Sequence, residues 1–254
     1  MVRCLFVLAW LTACGRLEFD ERETTIDSAP PGHDEDGDGI GDLVDPCPHL
    51  AGDAADRDRD GVGDQCDPDP DAPTSRFVVF STMQAGDQPF AAITAFDQEA
   101  DAIHTATMTT GMSILGTFAT VRVDIGFEIR GLVGSTQHQV ASGVDGGSSV
   151  YYFTEINENG SIRNVSVTSF DNMNGYLLLG GMNHNGMHAG VGLLRYDATL
   201  PASGTPSHQL VAGWTGELYT GSAATPMYQG GTEIRVVLNG LDVAIRYVVV
   251  IATN

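Results

Sequence analysis

Residues 120–130 read TVRVDIGFEIR, and their alternation decides the fold class. Val121, Val123, Ile125, Phe127 and Ile129 share one face of an extended chain, while Arg122, Asp124 and Glu128 share the other. Successive side chains of a strand point to opposite faces, so this pattern belongs to a half-buried antiparallel strand. The same texture continues on both sides. Short β-branched and aromatic runs, divided by Gly, Asn, Asp and Ser clusters, occupy 77–81, 91–96, 118–133, 150–156, 162–170, 176–179, 190–196, 233–238 and 241–252. No segment holds helical periodicity for three turns. About nine short strands in some 180 residues predict a mainly β chain, with an antiparallel sandwich of jelly-roll type over 74–254. Two hairpins are expected. Asn239-Gly240 lies inside VVLNGLDV, where a tight primed turn favours that pair. A longer hairpin joins 151–156 to 161–165 through Asn157-Glu158-Asn159-Gly160.

Upstream the chemistry changes. The net charge is −21 and there is no lysine, which argues against a nucleic-acid partner. More than half of that charge sits in residues 32–73, where fourteen acidic residues face only Arg57 and Arg59. Shifted by 22 residues the stretch matches itself: Asp34, Asp36, Asp38, Gly39, Gly41, Asp42 and Asp45 fall on Asp56, Asp58, Asp60, Gly61, Gly63, Asp64 and Asp67. Each half is a calcium-loop pattern. Positions 1, 3, 5, 9 and 12 carry carboxylates, position 7 (Ile40, Val62) offers a backbone carbonyl, and the glycine at position 6 permits a sharp turn. Five carboxylates in twelve residues repel one another unless a divalent cation sits among them. A disordered acidic linker would not keep glycines in register at positions 6 and 8.

Two known calcium duplications bear on this segment. Dockerin modules need helices leaving each loop, and Pro46, Pro48, Gly52, Pro68 and Pro70 exclude them here. The segment resembles instead the thrombospondin type 3 repeat, whose DxDxDGxxDxxDxCP units wrap around calcium with almost no secondary structure. The units here are 34–48 and 56–67; the second cysteine is followed by Asp67-Pro68, a departure from the pattern, and a third loop opening at Asp67 would place Ala72 where glycine is required. Of four cysteines, Cys4 and Cys14 lie in the leader considered next, leaving Cys47 and Cys66, one per unit. An even remainder in an exported protein reads as a disulfide, and the resemblance implies pairing between neighbouring units. A zinc site fails on spacing.

The first fourteen residues, MVRCLFVLAWLTAC, place one arginine before an apolar run too short to span a bilayer. Leu11-Thr12-Ala13-Cys14 resembles the bacterial lipobox, which implies a signal peptide over 1–13, acylation of Cys14 and anchoring at the outer membrane or cell surface. Residues 14–33 are a polar tether, and 34–73 follow as a calcium-stiffened spacer.

Catalytic signatures are thin. His184 and His188 stand four apart in a loop without the glutamate of a metalloprotease helix. Glu155 and Glu158 do not form the pattern of retaining glucanases, and Asp124 and Glu128 lie roughly 13 Å apart along a strand. Asn159 and Asn164 head sequons that a bacterial lipoprotein would leave bare, and Trp214 and the tyrosines suit either a core or a sugar platform. The expectation is a non-enzymatic, calcium-binding surface lipoprotein serving adhesion or structure. A carbohydrate-binding protein is the alternative, given a texture loosely similar to the concanavalin-type lectin and glucanase fold, and a secreted glycan hydrolase is the third.

Overall fold

A computed structural model describes residues 26–27, 32–93, 96–118, 120–134, 137–145, 150–157, 162–169, 177–180, 190–198, 207–214, 217–224 and 231–253. Among them there are fourteen strands and no helix. In chain order the first six are β1 (Ile26–Asp27), β2 (Ser75–Ser81), β3 (Ala92–Ile93), β4 (Asp97–Gln98), β5 (Ile103–Phe118) and β6 (Val121–Leu132). Next come β7 (Gln139–Asp145), β8 (Val150–Ile156), β9 (Ile162–Ser169) and β10 (Leu177–Gly180). The last four are β11 (Gly192–Ala198), β12 (Ser207–Trp214), β13 (Glu217–Ala224) and β14 (Gly231–Thr253). The mainly β antiparallel sandwich is therefore what the chain forms.

β14 organises it. Its first half pairs with β5 and β7, and β8, β9 and β10 follow outward from β7. Its second half pairs with β6, from which β11, β12 and β13 follow, and with β5 and then β2 on its other flank. Phe118 pairs with Gly231 while Val121, three residues on, pairs with Ala252. Three residues reach about 10 Å, the spacing of two packed sheets, whereas a straight 23-residue strand would run for roughly 75 Å. β14 must fold over, so its halves lie in opposite layers. The corner is Gly240, with φ of 62°, a left-handed conformation that glycine adopts without penalty. Its carbonyl accepts from Val133 N–H and from the His138 ring.

This corrects the expected Asn239-Gly240 hairpin. The chain does bend there, but Asn239 pairs with Thr109 and Leu241 with Thr107, so one neighbour runs past the bend on both sides. The halves gain more by burial in two sheets than by pairing with each other. The expected strand at 118–133 is likewise two elements, with β5 ending at Phe118 and β6 starting at Val121. Sequence reading missed most of β5, and β7, β12 and β13 entirely, because Gly, Ala and Ser interrupt their β-branched and aromatic residues. The β8–β9 hairpin is present as expected, although its turn lies outside the described residues.

Between the layers, alternation sets the core. β11 buries Gly192, Leu194, Tyr196 and Ala198 in strict period two. Tyr196 stacks on Tyr152 of β8 with ring centroids 4.0 Å apart, and its hydroxyl meets Ser142 Oγ at 2.9 Å. Trp214 is 5% exposed and packs edge-on against Phe127. β14 breaks the alternation: Tyr247, Val248, Val249, Val250 and Ile251 are all buried. A strand buried on both faces reads as a continuous apolar run, so something must cover its outer side.

Candidate metal centres and the seam they form with the sandwich

The cover is the acidic repeat. Cys47, Val62 and Cys66 form one apolar cluster with Phe80, Tyr247, Val249 and Ile251 of the outer sheet face. Cys47 and Cys66 are disulfide-bonded with Cα atoms 5.8 Å apart, as the resemblance implied. The repeat, expected as a calcium-stiffened spacer, packs on the sandwich as a docked layer. Apolar cysteine and valine side chains on the repeat meet an apolar sheet face that would otherwise lie in water.

Polar contacts fasten the same seam. Arg122 donates to the Cys66 carbonyl at 3.0 Å and grips Asp197 with Nε and Nη2. Asp124, on the outward face of β6, is fully buried beneath the repeat, where His49 Nε2 approaches its Oδ2 at 2.6 Å and Arg195 holds both oxygens. Burial works to raise the Asp124 carboxyl, but the Arg195 guanidinium and the His49 hydrogen bond outweigh it and hold it below the usual carboxylate range.

Within the repeat the two loops are copies bond for bond. Asp34 accepts from Gly37 N–H and Gly39 N–H, as Asp56 does from Arg59 and Gly61. Asp36 accepts from Asp38 N–H, and Asp58 from Asp60 N–H. Asp38 accepts from Ile40 N–H, and Asp60 from Val62 N–H. Gly39 and Gly61, with φ of 93° and 95°, supply the sharp turn at position 6. One oxygen from each of Asp34, Asp36 and Asp38 lies within 4.8 Å of the others, and Asp56, Asp58 and Asp60 converge equally.

The same geometry tests whether a cation fits. Asp36 Oδ2, Asp45 Oδ2, Asp58 Oδ2 and Asp67 Oδ2 are buried without a hydrogen-bond partner, at positions 3 and 12 of each loop. Asp45 and Asp67 are themselves only 8% and 4% exposed. A buried anionic oxygen without a partner is costly unless a cation lies against it. Burial, reinforced by neighbouring carboxylates, pushes Asp36 up to about 6 and raises Asp45, Asp58 and Asp67 as well. The donor set is all oxygen, which suits a hard divalent ion of flexible coordination.

Position 9 is different. Asp42 accepts from Glu35 N–H and faces the His33 ring, and Asp64 accepts from Arg57 N–H and its Nε. Both carboxylates brace the start of their loop and stand apart from the converging triad. His184, His188, Glu158 and Asn159 lie outside the described residues, as do Cys14 and the rest of 1–25. No family model and no curated protein matches the chain. Among solved structures it is similar to a peanut lectin with a nine-residue peptide (TM-score 0.46, 9% identity, 70% of this chain and 97% of the other). It is also similar to a Bacillus licheniformis β-glucanase (0.48, 9%, 69% and 97%). A third likeness is to the exoplasmic/lumenal domain of VIP36 in its Ca2+/Man3GlcNAc-bound form (0.48, 11%, 71% and 89%).

Proposed function

We propose that this chain is a calcium-binding surface lipoprotein in which two ions lock the acidic repeat onto the outer face of a β-sandwich. The observation that carries the reading is the pair of orphaned, buried oxygens at positions 3 and 12 of both loops. Asp34, Asp36, Asp38 and Asp45 with the Ile40 carbonyl would hold one ion. Asp56, Asp58, Asp60 and Asp67 with the Val62 carbonyl would hold the other. Calcium supplies charge neutralisation, and the loops supply preformed turns that aim oxygens inward. The role is non-enzymatic. Asp124, fully buried in the sandwich, is committed to Arg195 and His49 and has no freedom to act on a substrate. Acylation at Cys14 would hold the assembly at the outer membrane or cell surface, where adhesion or structural work suits it.

Titration calorimetry with calcium on the full chain, paired with limited proteolysis, tests this. Two equivalents of calcium should bind, and the repeat should resist protease in millimolar calcium and be cut in chelator. At calcium ten to a hundred times Kd, each ion should add about 1–3 kcal/mol of stability. Identical cleavage patterns with and without calcium would sink the reading. A second reading, carbohydrate binding, loses Trp214, Tyr152 and Tyr196 as stacking platforms, because all three are buried. It gains one feature, a cleft at the seam.

A further inference from the structure

The two units of the repeat meet inside the chain in a way that leaves each with one spare edge. The trailing edge of the first unit, Asp45-Pro46-Cys47-Pro48, is mated to the leading edge of the second, which runs from Gly63 to Cys66. Gly63 N–H donates to the Pro46 carbonyl at 2.8 Å, and Cys66 is disulfide-bonded to Cys47. The fit is close, since a Cβ at Gly63 would meet Cys47 Sγ at 2.9 Å. Gln65, in the same edge, donates its amide to the Ala51 carbonyl at 3.4 Å. Both residues line a cleft of about 480 Å³ between the repeat and the sandwich.

The spare edges have the same shapes. At the leading edge of the first unit, Val44 N–H and Asp45 N–H donate to the Gly41 carbonyl, as Cys66 and Asp67 donate to that of Gly63. Asp42 N–H donates to the His33 carbonyl, as Asp64 N–H does to that of Ala55. At the trailing edge of the second unit, Asp67-Pro68-Asp69-Pro70 repeats the mated sequence with Asp69 in place of Cys47. Asp67 accepts from Asp69 N–H there, as Asp45 does from Cys47 N–H. Among the described residues, neither the Gly41 N–H nor the Pro68 carbonyl has a hydrogen-bond partner, and a Cβ at Gly41 would meet the His33 carbonyl alone. That donor and that acceptor are the copies of the pair already joined at Gly63 and Pro46.

The side chains agree. Val44, at the position of Cys66, is 77% exposed, and Leu43, at the position of Gln65, is 51% exposed. An adjacent apolar pair left in water between the buried Asp42 and Asp45 is what a missing neighbour would cover. Where Gln65 meets Ala51, Leu43 would meet Pro73, the exposed residue at the matching position of the second unit. Beside Pro68 and Asp69 a hollow of about 320 Å³ leaves room for it. A chain cannot join its own spare edges, because they lie at opposite ends of the two-unit stack. We infer that a second copy of this chain supplies the partner. The Gly41–Val44 edge of one copy seats on the Pro68–Asp69 edge of the next, with Gly41 N–H donating to the Pro68 carbonyl. The contact uses different patches on its two sides, so it extends into rows or closes into rings. Acidic units approach one another only when their charge is neutralised, so the inference rests on the calcium reading.

Disulfide trapping on the full chain tests it, because the Cys47–Cys66 bond shows which positions would meet. Val44→Cys and Asp69→Cys place thiols at the matching positions of the two spare edges, and both residues are exposed, so the fold is left intact. The two variants, carrying tags of different mass, are mixed under mild oxidant in calcium and read on a non-reducing gel against the unsubstituted chain. The mixed dimer should form at least about tenfold faster than either homodimer, since docking raises the effective concentration of the paired thiols. Adding Leu43→Asp to the Val44→Cys chain should abolish that advantage. A Val44→Cys homodimer that forms as fast as the mixed one means a symmetric pairing, and the absence of a mixed dimer means none; either overturns the inference. So does an advantage that survives Leu43→Asp. Calcium calorimetry on the same samples separates the two readings. Two ions bound without a mixed dimer defeats this inference alone, no ion bound defeats the calcium reading, and a mixed dimer that forms equally in chelator defeats the dependence on calcium.

Discussion

The two acidic loops share a hydrogen-bond scheme but not a setting. The first loop faces the sandwich. At its second position Glu35 is largely buried, and burial pushes its carboxyl up to about 8. The second loop faces solvent there, and Arg57 reaches Asp64 and Asp71 across the surface. At the fourth position the first loop has Gly37, with φ of 76°, while the second forces Arg59 to 67°. The anchors differ too. Asp60 Oδ2 and Asp67 Oδ1 bind the backbone and hydroxyl of Ser75, so the second loop is stitched to the start of β2. The first unit instead reaches the sheet through His49 and Asp124. A duplicated motif has thus been fitted to two environments by changing positions outside its converging aspartates.

The sharpest way to break this contrast is at the first anchor. Asp124→Asn leaves Arg195 without its counter-charge and weakens the hydrogen bond to His49, and loss of one partner from a buried ion pair costs about 3–5 kcal/mol. Urea denaturation should show that loss, with new protease cuts in the first unit before the second. Next, Asp45→Asn and Asp67→Asn should each cost one calcium ion of two by calorimetry. Asp67→Asn should be the more destabilising by about 1 kcal/mol, because Asp67 also holds Ser75. Equal losses would mean that the Ser75 hydrogen bond gains nothing from the charge of Asp67.

A subtler contrast is set by pH. In chelator, the folded protein keeps a proton on Glu35 up to about 8, whereas an ordinary glutamate releases it near 4.5. The folded state therefore binds the extra proton, and stability is full below about 4.5 and falls as pH rises toward 8. Glu35→Gln should flatten that fall in a melting series, and Arg57→Gln should leave it in place. The smallest effect is at Arg59. Relief of left-handed strain, offset by the greater freedom of an unfolded glycine, should make Arg59→Gly stabilising by less than about 1 kcal/mol.

Period-two alternation was legible in β6 and β11, because each has one face in the core between the layers. The acidic loops were legible because their chemistry is local: every carboxylate that converges lies within twelve residues of the others. What stayed hidden is long-range. That Asp124 would be buried follows only once His49, 75 residues away, lies over it. Yet a signal was present. The run Tyr247-Val-Val-Val-Ile251 lacks the polar alternate residues of a solvent-facing strand, and that absence announces a second cover on the sheet. The position-9 aspartates show a related limit. Sequence spacing offers them as ligands, but a carboxylate can also brace a backbone N–H two turns earlier, and only the fold decides between the two.

β14 carries a consequence for how this molecule comes into being. Every strand it joins precedes it in the chain, and each layer lacks its middle member until it arrives. During synthesis the β7–β10 group and the group of β6, β11, β12 and β13 emerge as half-built sheets with open edges, each able to pair with a stranger. Contacts of such long sequence separation close late and slowly. The acidic repeat lands on a surface that includes Tyr247, Val249 and Ile251 of that strand, so it too must wait. The sandwich, its cover and the cleft between them are assembled in one closing event.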